Sequence, residues 1–390
     1  MDLFAPLSAT AQTAYAQLLD SVHGAELTRS VASLRGTFAS KQVKGHTYWY
    51  FQYTEVSGKV RQLYVGPEDA RVQALMEAHA AGGAAPALEL LARSAMALGN
   101  APVLARHFKV VQRLADYGFF RAGGVLIGTH AFLAFGNMLG VRWQDGSRTQ
   151  DVDFAHAGKS LLIALPANIE IDTHAAIESL QMGLLPIEHA DGGRGATYLD
   201  PRDPEFQLDF LTPLHRGGMQ PYRHPQLGIA LQPLKFMEYL LQDVQQAALL
   251  SASGAVLVSV PHPARYALHK LIVAGERPAS RIAKSNKDVQ QAAALLSVLR
   301  EQARWQVDEA WADLVARGPG WRSRAQRGRE ALAKAAPELQ VLEWLVLPDK
   351  ADKRHNSVRL YRARFACRSQ SSAPGSACQT GSWRSRNNQP

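Results

Sequence analysis

Two aspartates one residue apart are the strongest chemical signal in the chain. Asp151 and Asp153 lie in the segment Arg148-Thr149-Gln150-Asp151-Val152-Asp153-Phe154. If this segment is a strand, alternate side chains project from one face, so both carboxylates point at one site. Adjacent carboxylates raise each other's pKa unless a cation or a shared proton offsets their repulsion. An oxygen-only pair suits Mg²⁺, although a chance Asp-x-Asp is expected roughly once in a chain of this length.

A third carboxylate stands in a predicted strand further along the chain. Asp209 has apolar neighbours in Phe206-Gln207-Leu208-Asp209-Phe210-Leu211. A carboxylate in such a place is costly unless it is paired or binds a metal. We therefore expect Asp209 to be the third metal ligand, and a salt-bridged or strand-end aspartate is the alternative.

A glycine-containing segment precedes the aspartate pair. Residues 119–130 predict a strand edge, a turn at Gly123 and Gly124, and then a helix. Glycines let backbone N–H groups approach a ligand, and a helix N-terminus favours an anion. The segment is not a Walker loop, because Thr129 stands where the lysine belongs. A phosphate-binding loop and simple close packing of the helix are both open at this point.

Composition describes an ordinary globular protein with a basic end. The 390 residues are 46% hydrophobic and 20% charged, which allows two or three domains. Residues 321–390 carry 14 Lys and Arg against 5 Asp and Glu, which accounts for the whole net charge of +9. A nucleic-acid contact argued from charge therefore rests on the tail. We expect a cytoplasmic protein without a membrane segment, because no secretory signal or long apolar run is visible.

The N-terminal region predicts a helix followed by a small β-meander. After a helix at 8–22, strands are expected at 36–43, 46–53 and 59–65. The meander is rich in aromatic residues and carries several basic ones, namely Lys41, Lys44, Lys59 and Arg61. Such a combination is a candidate nucleic-acid stacking platform, although aromatic residues in a small meander more often form its core.

The C-terminal half predicts alternating helices and strands and then a tail. We expect an amphipathic helix at 233–250, a strand at 255–260, and a helix that begins at Pro261-His262-Pro263. Helices continue to about Leu345, and from Pro348 the composition is typical of a basic disordered extension. The two cysteines, Cys367 and Cys378, lie in that extension, so the remainder has no thiolate metal site.

These motifs together resemble the nucleotidyltransferase fold of the DNA polymerase beta superfamily. The resemblance rests on Gly123-Gly124, on Arg148-Thr149-x-Asp151-x-Asp153, and on the lone strand residue Asp209. The downstream His269-Lys270-Leu271 and Lys287-Asp288 look most like an uncharacterised bacterial branch akin to abortive-infection nucleotidyltransferases. The resemblance covers roughly residues 105–300. The gap from Gly124 to Asp151 is longer than in minimal members, which affects the placement of the glycine loop.

The resemblance implies a role for each matching residue. Asp151, Asp153 and Asp209 would bind two Mg²⁺ ions, or Mn²⁺, and Asp209 could also act as general base. The residues expected to hold the nucleoside triphosphate are Gly123, Gly124, Thr129, Arg148 and Lys270. A surface role for Lys270, and pairing of Arg148 with the acids, are alternatives. The role of Asp288 is left open.

The predicted fold class is α+β, with a mixed-sheet nucleotidyltransferase core and flanking helices. The predicted domains are an N-terminal helical and β module (1–100), the core (101–260), a helical region (261–347) and the basic tail (348–390). The predicted function is metal-dependent transfer of a nucleoside monophosphate to an acceptor in a protein, a tRNA or a small molecule. A catalytically inactive member that binds nucleotide or RNA is the alternative. A scaffold protein is a third class, and it requires the three acids to lie apart.

Overall fold

The structure describes two of the carboxylates of the predicted site, and a mixed β-sheet positions both of them. The computed structural model describes residues 3–32, 36–54, 60–80, 88–144, 152–156, 171–188, 194–214, 218–277, 280 and 282–347. Asp151, Arg148 and the tail from residue 348 lie outside these ranges.

Strands and helices are interspersed along the described part of the chain. The strands are β1 (Phe4–Pro6), β2 (Thr37–Val43), β3 (His46–Thr54), β4 (Val60–Pro67), β5 (Gly124–Leu126), β6 (Val141–Trp143), β7 (Val152–His156), β8 (Leu185–Glu188), β9 (Arg194–Asp200), β10 (Asp203–Pro213), β11 (Tyr222–Arg223), β12 (Ala230–Leu234), β13 (Val244–Ser251) and β14 (Gly254–Pro261). The α-helices are α1 (Ala9–Ala32), α2 (Ala70–Ala80), α3 (Glu89–Ala97), α4 (Ala105–Asp116), α5 (Gly128–Met138), α6 (Thr173–Glu178), α7 (Met237–Leu240), α8 (Pro263–Glu276), α9 (Ile282–Gln302), α10 (Arg304–Ala316), α11 (Pro319–Ala335) and α12 (Val341–Trp344).

The central sheet combines parallel and antiparallel pairs. Its order is β11-β12-β10-β7-β5, and β8 joins it through β9, which also pairs with β10. Strand β10 runs parallel to β7 and β12 but antiparallel to β9, while β5 runs antiparallel to β7. The predicted α+β class with a mixed-sheet core and flanking helices is therefore confirmed.

Alternation along β7 and β10 separates an apolar face from the face that carries the acids. Val152 and Phe154 on β7 are fully buried, as are Leu208 and Phe210 on β10. The rings of Phe154 and Phe210 stack with their centroids 5.2 Å apart. Because side chains alternate along a strand, the aspartate between each apolar pair projects from the opposite face. The apolar core thus fixes the direction of both carboxylates.

Helix α5 packs against the sheet and is buried on most of its circumference. Its buried residues include Phe132 and Phe135, whose side chains are fully inaccessible. The Phe132 ring stacks on Trp143 of β6 at 4.6 Å, and the Phe135 ring meets Tyr266 of α8 edge-on at 5.1 Å. A helix that is apolar all round needs partners on several sides. The neighbours of α5 therefore hold its N-terminus in place beside β7.

The hairpin of β13 and β14 corrects one prediction. The sequence predicts a helix at 233–250, but the structure has only the short α7 there, and Val244–Ser251 is strand β13. This strand pairs with β14 along its whole length, and Ala247 to Leu250 are buried. Alanine and leucine favour helices in isolation, but the cross-strand pairing overrides that preference. The helical prediction was therefore wrong for this segment.

The N-terminal region contains the three strands that the sequence predicts. Strands β2, β3 and β4 form an antiparallel sheet in that order. Helix α1 packs on the β13–β14 hairpin through Tyr15 and Leu18, and the Tyr15 hydroxyl lies 3.3 Å from the Ala248 carbonyl oxygen. Residues Met1–Val346 form one compact unit, and the boundaries predicted at residues 100 and 260 stay predictions.

The C-terminal helices hold α8 through a buried cation. Arg265 on α8 is only 6% exposed. Its guanidinium donates to Asp243 Oδ2, directly before β13, and to Asp313 Oδ2 on α10, both at 2.7 Å. A buried charge is tolerated when it is paired and hydrogen-bonded in this way. Among the helices described, none is both long and apolar enough to cross a membrane.

Two buried histidines meet between α4 and α5. His107 Nδ1 lies 2.9 Å from His130 Nε2, so one ring donates a hydrogen bond to the other. Burial, together with the charge of Arg106, lowers the pKa of His107 to about 4. Burial and the neighbouring His107 lower the pKa of His130 to about 3. Both rings are therefore neutral at pH 7.

This histidine pair predicts that the protein loses stability in mild acid. The ordinary pKa of 6.5 applies in the unfolded chain, which therefore binds protons below that pH while the folded protein does not. Stability is complete above pH 6.5 and falls as the pH approaches 4, by about 1 kcal/mol for each histidine between pH 7.5 and 5.5. Urea unfolding at these two pH values measures the loss. In the variant His107→Phe/His130→Leu the loss should shrink by about 2 kcal/mol, and an unchanged pH dependence would refute the assignment.

Candidate functional site

Two carboxylates lie side by side on neighbouring parallel strands. Asp153 on β7 is the register partner of Asp209 on β10. Neighbouring strands are about 4.8 Å apart, and side chains of register partners project from the same face. On the other side of β10, Thr197 of β9 is paired with Asp209, and its hydroxyl donates to Asp209 Oδ1 at 2.5 Å. Both aspartates are half-buried. The sheet thus concentrates negative charge at one place.

The start of helix α5 approaches Asp153 closely. The Ile127 N–H donates to the Asp153 carbonyl oxygen at 3.0 Å, and the helix begins at the next residue. Gly128 has a φ of +62°, and a Cβ built there would lie 1.9 Å from Asp153 Oδ2. Only glycine fits, because both the backbone conformation and the space exclude a side chain. The N-terminus of α5 also carries a partial positive charge, which favours the nearby carboxylate.

A cleft of about 370 Å³ lies beside the carboxylates. Asp153 and Gly128 contribute to its lining from the sheet and α5, and Lys270 and Asp288 contribute from α8 and α9. Asp209, one strand further, does not line it. Among the residues that the structure describes, three acidic and three basic side chains belong to the lining: Asp153, Glu276, Asp288, Lys235, Lys270 and Arg277. The charges of the cleft are therefore balanced.

Asp288 joins the two cations of α8 and the segment that follows it. The Lys270 ammonium donates to Asp288 Oδ1 at 2.7 Å, and Arg277 Nη1 lies 2.8 Å from Asp288 Oδ2. Asp288 is 3% exposed, so its charge depends on these partners. Burial opposes the charge of Lys270, but interactions with Tyr266, Asp288 and Asp153 outweigh it and raise the pKa of Lys270. Lys270 is a cation at every physiological pH.

Tyr266 connects α8 to the start of α5. Its hydroxyl donates to the Gly128 carbonyl oxygen at 2.8 Å, and the Gln291 side-chain amide lies 3.0 Å from the same hydroxyl. Gln291 is in turn 3.4 Å from Thr129 Oγ1. Burial raises the pKa of Tyr266, so it stays a neutral donor. These contacts fix the backbone next to Asp153 from the side of the C-terminal helices.

His269 adds a neutral polar group to the cleft. It lines the cleft and is 8% exposed, and within the described chain its buried Nε2 has no hydrogen-bond partner. Burial, with Lys270 and Arg277 nearby, lowers the pKa of His269 to about 3. A neutral imidazole offers a ligand one donor and one acceptor.

The glycine pair expected to hold phosphate lies elsewhere. Gly123 and Gly124 are buried, and a Cβ on Gly124 would lie 2.2 Å from the Phe119 ring. They open strand β5 instead of helix α5, which begins five residues after Gly123. Neither residue lines the cleft, so the position beside Asp153 belongs to Gly128. The sequence signal that could have identified it is that Gly128 is the third glycine of the same segment and lies at the start of the predicted helix.

The other predicted residues fall into three groups. Asp153, Asp209 and Lys270 come to the region of the cleft. Thr129 is buried beneath it on α5. Asp151 and Arg148 lie outside the described residues, and within these no three His, Cys, Asp or Glu side chains are grouped as a metal site. Sequence reasoning did not propose Gly128, Tyr266, His269 or Arg277 as site residues.

A carboxylate pair beside a glycine-initiated helix and a cleft with basic side chains is an arrangement that can accommodate a metal ion and a phosphate group. The sequence model of the family described as nucleotidyltransferase matches residues 105–316, more than half of the chain. The chain therefore belongs to this nucleotidyltransferase family. No curated protein matches it significantly. A solved structure similar to it is that of an antigenic nucleotidyltransferase-like protein from Paracoccidioides brasiliensis, with 16% identity, 58% of this chain and 95% of that chain covered, and a TM-score of 0.28.

The close approach at Gly128 predicts a specific sensitivity to alanine. The variant Gly128→Ala should be less stable than wild type by backbone strain of about 1 kcal/mol plus an overpacking cost of about 1–3 kcal/mol. Gly45→Ala is the matched control, since Gly45 also has a positive φ of +81° but no atom within 4 Å of its Cβ position. Thermal or urea unfolding of both variants measures the difference. Equal losses at the two positions would contradict the contact with Asp153.

The buried ion cluster predicts a ranking of three substitutions. Asp288→Asn leaves Lys270 and Arg277 without their carboxylate and should cost about 3 kcal/mol of unfolding free energy. Lys270→Met should cost less, because Asp288 keeps Arg277. Glu89→Gln is the control: Glu89 pairs with Arg93 on the surface, where both side chains are at least half exposed, and should change stability by less than about 0.5 kcal/mol. The reverse order for the two cluster variants would show that Arg277 does not support Asp288.

Proposed function

We propose that the protein transfers a nucleoside monophosphate from a nucleoside triphosphate to an acceptor hydroxyl. Family membership and fold support nucleotidyl transfer as the general function. The observation that carries the specific proposal is the register pairing of Asp153 with Asp209. The placement in the bacterial branch akin to abortive-infection proteins and the cytoplasmic location stay predictions.

Divalent cations fit the residues at this site. Asp153 and Asp209 offer carboxylate oxygens from adjacent strands, the donor type that Mg²⁺ prefers, and Mn²⁺ accepts the same ligands. A divalent cation would further offset their mutual repulsion. Asp151, two residues before Asp153, is the proposed third carboxylate. Two ions held there would stabilise the charge that develops on the attacking and leaving oxygens.

The charge balance of the cleft also supports the binding of divalent cations. Within the described part of its lining, three basic side chains are matched by three acidic ones, so these residues supply no net charge for a triphosphate. Lys270 and Arg277 are both paired with Asp288, so part of their positive charge is already neutralised before a phosphate binds. The N-terminus of α5, opened by Gly128, adds backbone donors. Metal-bound nucleotide is therefore the ligand that suits the cleft.

The proposed reaction is an in-line displacement. The acceptor oxygen forms a bond to the α-phosphorus, and the bond from that phosphorus to the bridging oxygen breaks to release pyrophosphate. Asp209 is the proposed group that takes the acceptor proton, and Thr197 holds its carboxylate through the 2.5 Å hydrogen bond. Lys270 orients the phosphates, and His269 offers hydrogen bonds to the nucleotide. The acceptor is a protein, a tRNA or a small molecule.

Label transfer tests this proposal. The purified protein is incubated with each α-labelled nucleoside triphosphate, Mg²⁺, and total cell RNA and protein as acceptors. Wild type should transfer label, and Asp153→Asn, Asp209→Asn and Asp151→Asn should each lower the rate at least about 100-fold, because each removes charge stabilisation from the transition state.

A control for the loss of a carboxylate charge in the label-transfer experiment is available on β10, the strand that carries Asp209. Glu205→Gln removes an exposed carboxylate of β10 and should leave the rate unchanged. Undiminished transfer by Asp153→Asn would sink the proposed site. Nucleotide binding by wild type without any transfer would favour the alternative, an inactive nucleotide-binding member of the same fold.

A further inference from the structure

The three-stranded sheet β2-β3-β4 has two different faces. Its register pairs Phe38 with Phe51 on one face, and Ala39 with Tyr50 and Tyr50 with Tyr64 on the other. Side chains of register partners share a face, and neighbours along a strand alternate between faces. The pairing therefore assigns each aromatic residue to one side.

The core of this module lies on one face alone. The Phe38 and Phe51 rings meet edge-on at 5.1 Å, and each lies 5.5 Å from the His79 ring of α2. Phe51 is 4% exposed, and Val72 of α2 is also buried. Helix α2 thus covers this face. The aromatic residues of the opposite face are not needed for that core.

The opposite face presents a cluster of tyrosines with a lysine. The Tyr64 ring lies 5.5 Å from the Tyr50 ring and 6.2 Å from the Tyr48 ring, and Tyr64 is 53% exposed. Lys41 Nζ is 4.7 Å from the centre of the Tyr50 ring and donates to Gln62 Oε1 at 2.7 Å. The rings and the ammonium group are therefore held together on an accessible surface. We call Lys41, Tyr48, Tyr50 and Tyr64 the tyrosine face.

The charged side chains in the described part of the sheet β2-β3-β4 are all basic. Residues 36–54 and 60–67 contain Lys41, Lys44 and Arg61 but no aspartate or glutamate. A cationic aromatic surface complements a polymer with anionic phosphates and flat bases. A second copy of the protein is a poor occupant, because two such surfaces would repel each other.

We propose that the tyrosine face binds single-stranded RNA. Unpaired bases stack on the tyrosine rings, and Lys41 contacts the phosphate backbone. A row of polar side chains, Thr37, Gln52 and Gln62, is in register on the same face beside Tyr50 and Tyr64. Their hydroxyl and amide groups suit ribose 2′-hydroxyls, which DNA lacks. This binding does not depend on the proposed transfer reaction.

Fluorescence anisotropy with the full-length protein tests the proposal. The probe is a labelled uridine oligomer of about 12 nucleotides, without nucleoside triphosphate or Mg²⁺. Wild type should bind it more tightly than the deoxy oligomer, duplex RNA or polyglutamate. Tyr64→Ala and Tyr50→Ala should each raise the Kd at least about fivefold, whereas Tyr64→Phe keeps the ring and should stay within about twofold. Lys41→Ala should weaken binding. It should also reduce the slope of log Kd against log salt concentration by about one, because one counterion fewer is released.

Two controls lie outside the sheet. Trp305→Ala removes an aromatic side chain that is 63% exposed, and Lys109→Ala removes an exposed lysine, and neither should change the Kd. Unfolding midpoints equal to wild type show that the tyrosine variants are folded. The proposal is overturned if wild type does not bind the oligomer, if the tyrosine variants and the controls behave alike, or if DNA, duplex RNA or polyglutamate binds as tightly.

Discussion

The structure of the site depends on the repulsion between two carboxylates that the sheet holds next to each other. Asp153 and Asp209 cannot move apart, because the register of β7 and β10 and the stacked rings of Phe154 and Phe210 fix both strands. Their negative charge must be offset locally. The protein supplies a hydroxyl from Thr197, the N-terminus of α5 and the lysine of α8. Each comes from a different element, so the surrounding fold is arranged around this electrostatic requirement.

The helical region contributes to the site through hydrogen bonds and ion pairs. Tyr266 reaches from α8 to the carbonyl oxygen of Gly128, and Asp288 on α9 orients Lys270. Arg265, on the same helix, ties α8 to α10 through Asp313. The position of Lys270 is consequently set by several helices. A change far along the chain in α10 thus has a physical route to the cleft.

The sequence predicted the parts of the fold whose signals are local. Alternation around Asp153 and Asp209 marks strands with one apolar face, whereas the mixed sheet was an implication of the family resemblance. The residues of Val244–Ser251 favour a helix on their own, and only their pairing with β14 makes them a strand. The glycine beside Asp153 is Gly128 and not the expected pair Gly123 and Gly124, because a glycine pair does not reveal which glycine of the segment begins the helix. Tyr266 and Arg277 act through contacts across the chain, which no local pattern contains.

The balanced charge of the cleft has a thermodynamic consequence. If Asp153 and Asp209 bind cations and Lys270 binds a phosphate ligand, as proposed, each ligand removes the electrostatic cost that the other would meet alone. Their binding is then linked, and each raises the affinity of the other by the same factor. Under the proposed function, cation concentration would control nucleotide occupancy, and nucleotide concentration would control cation occupancy to the same degree.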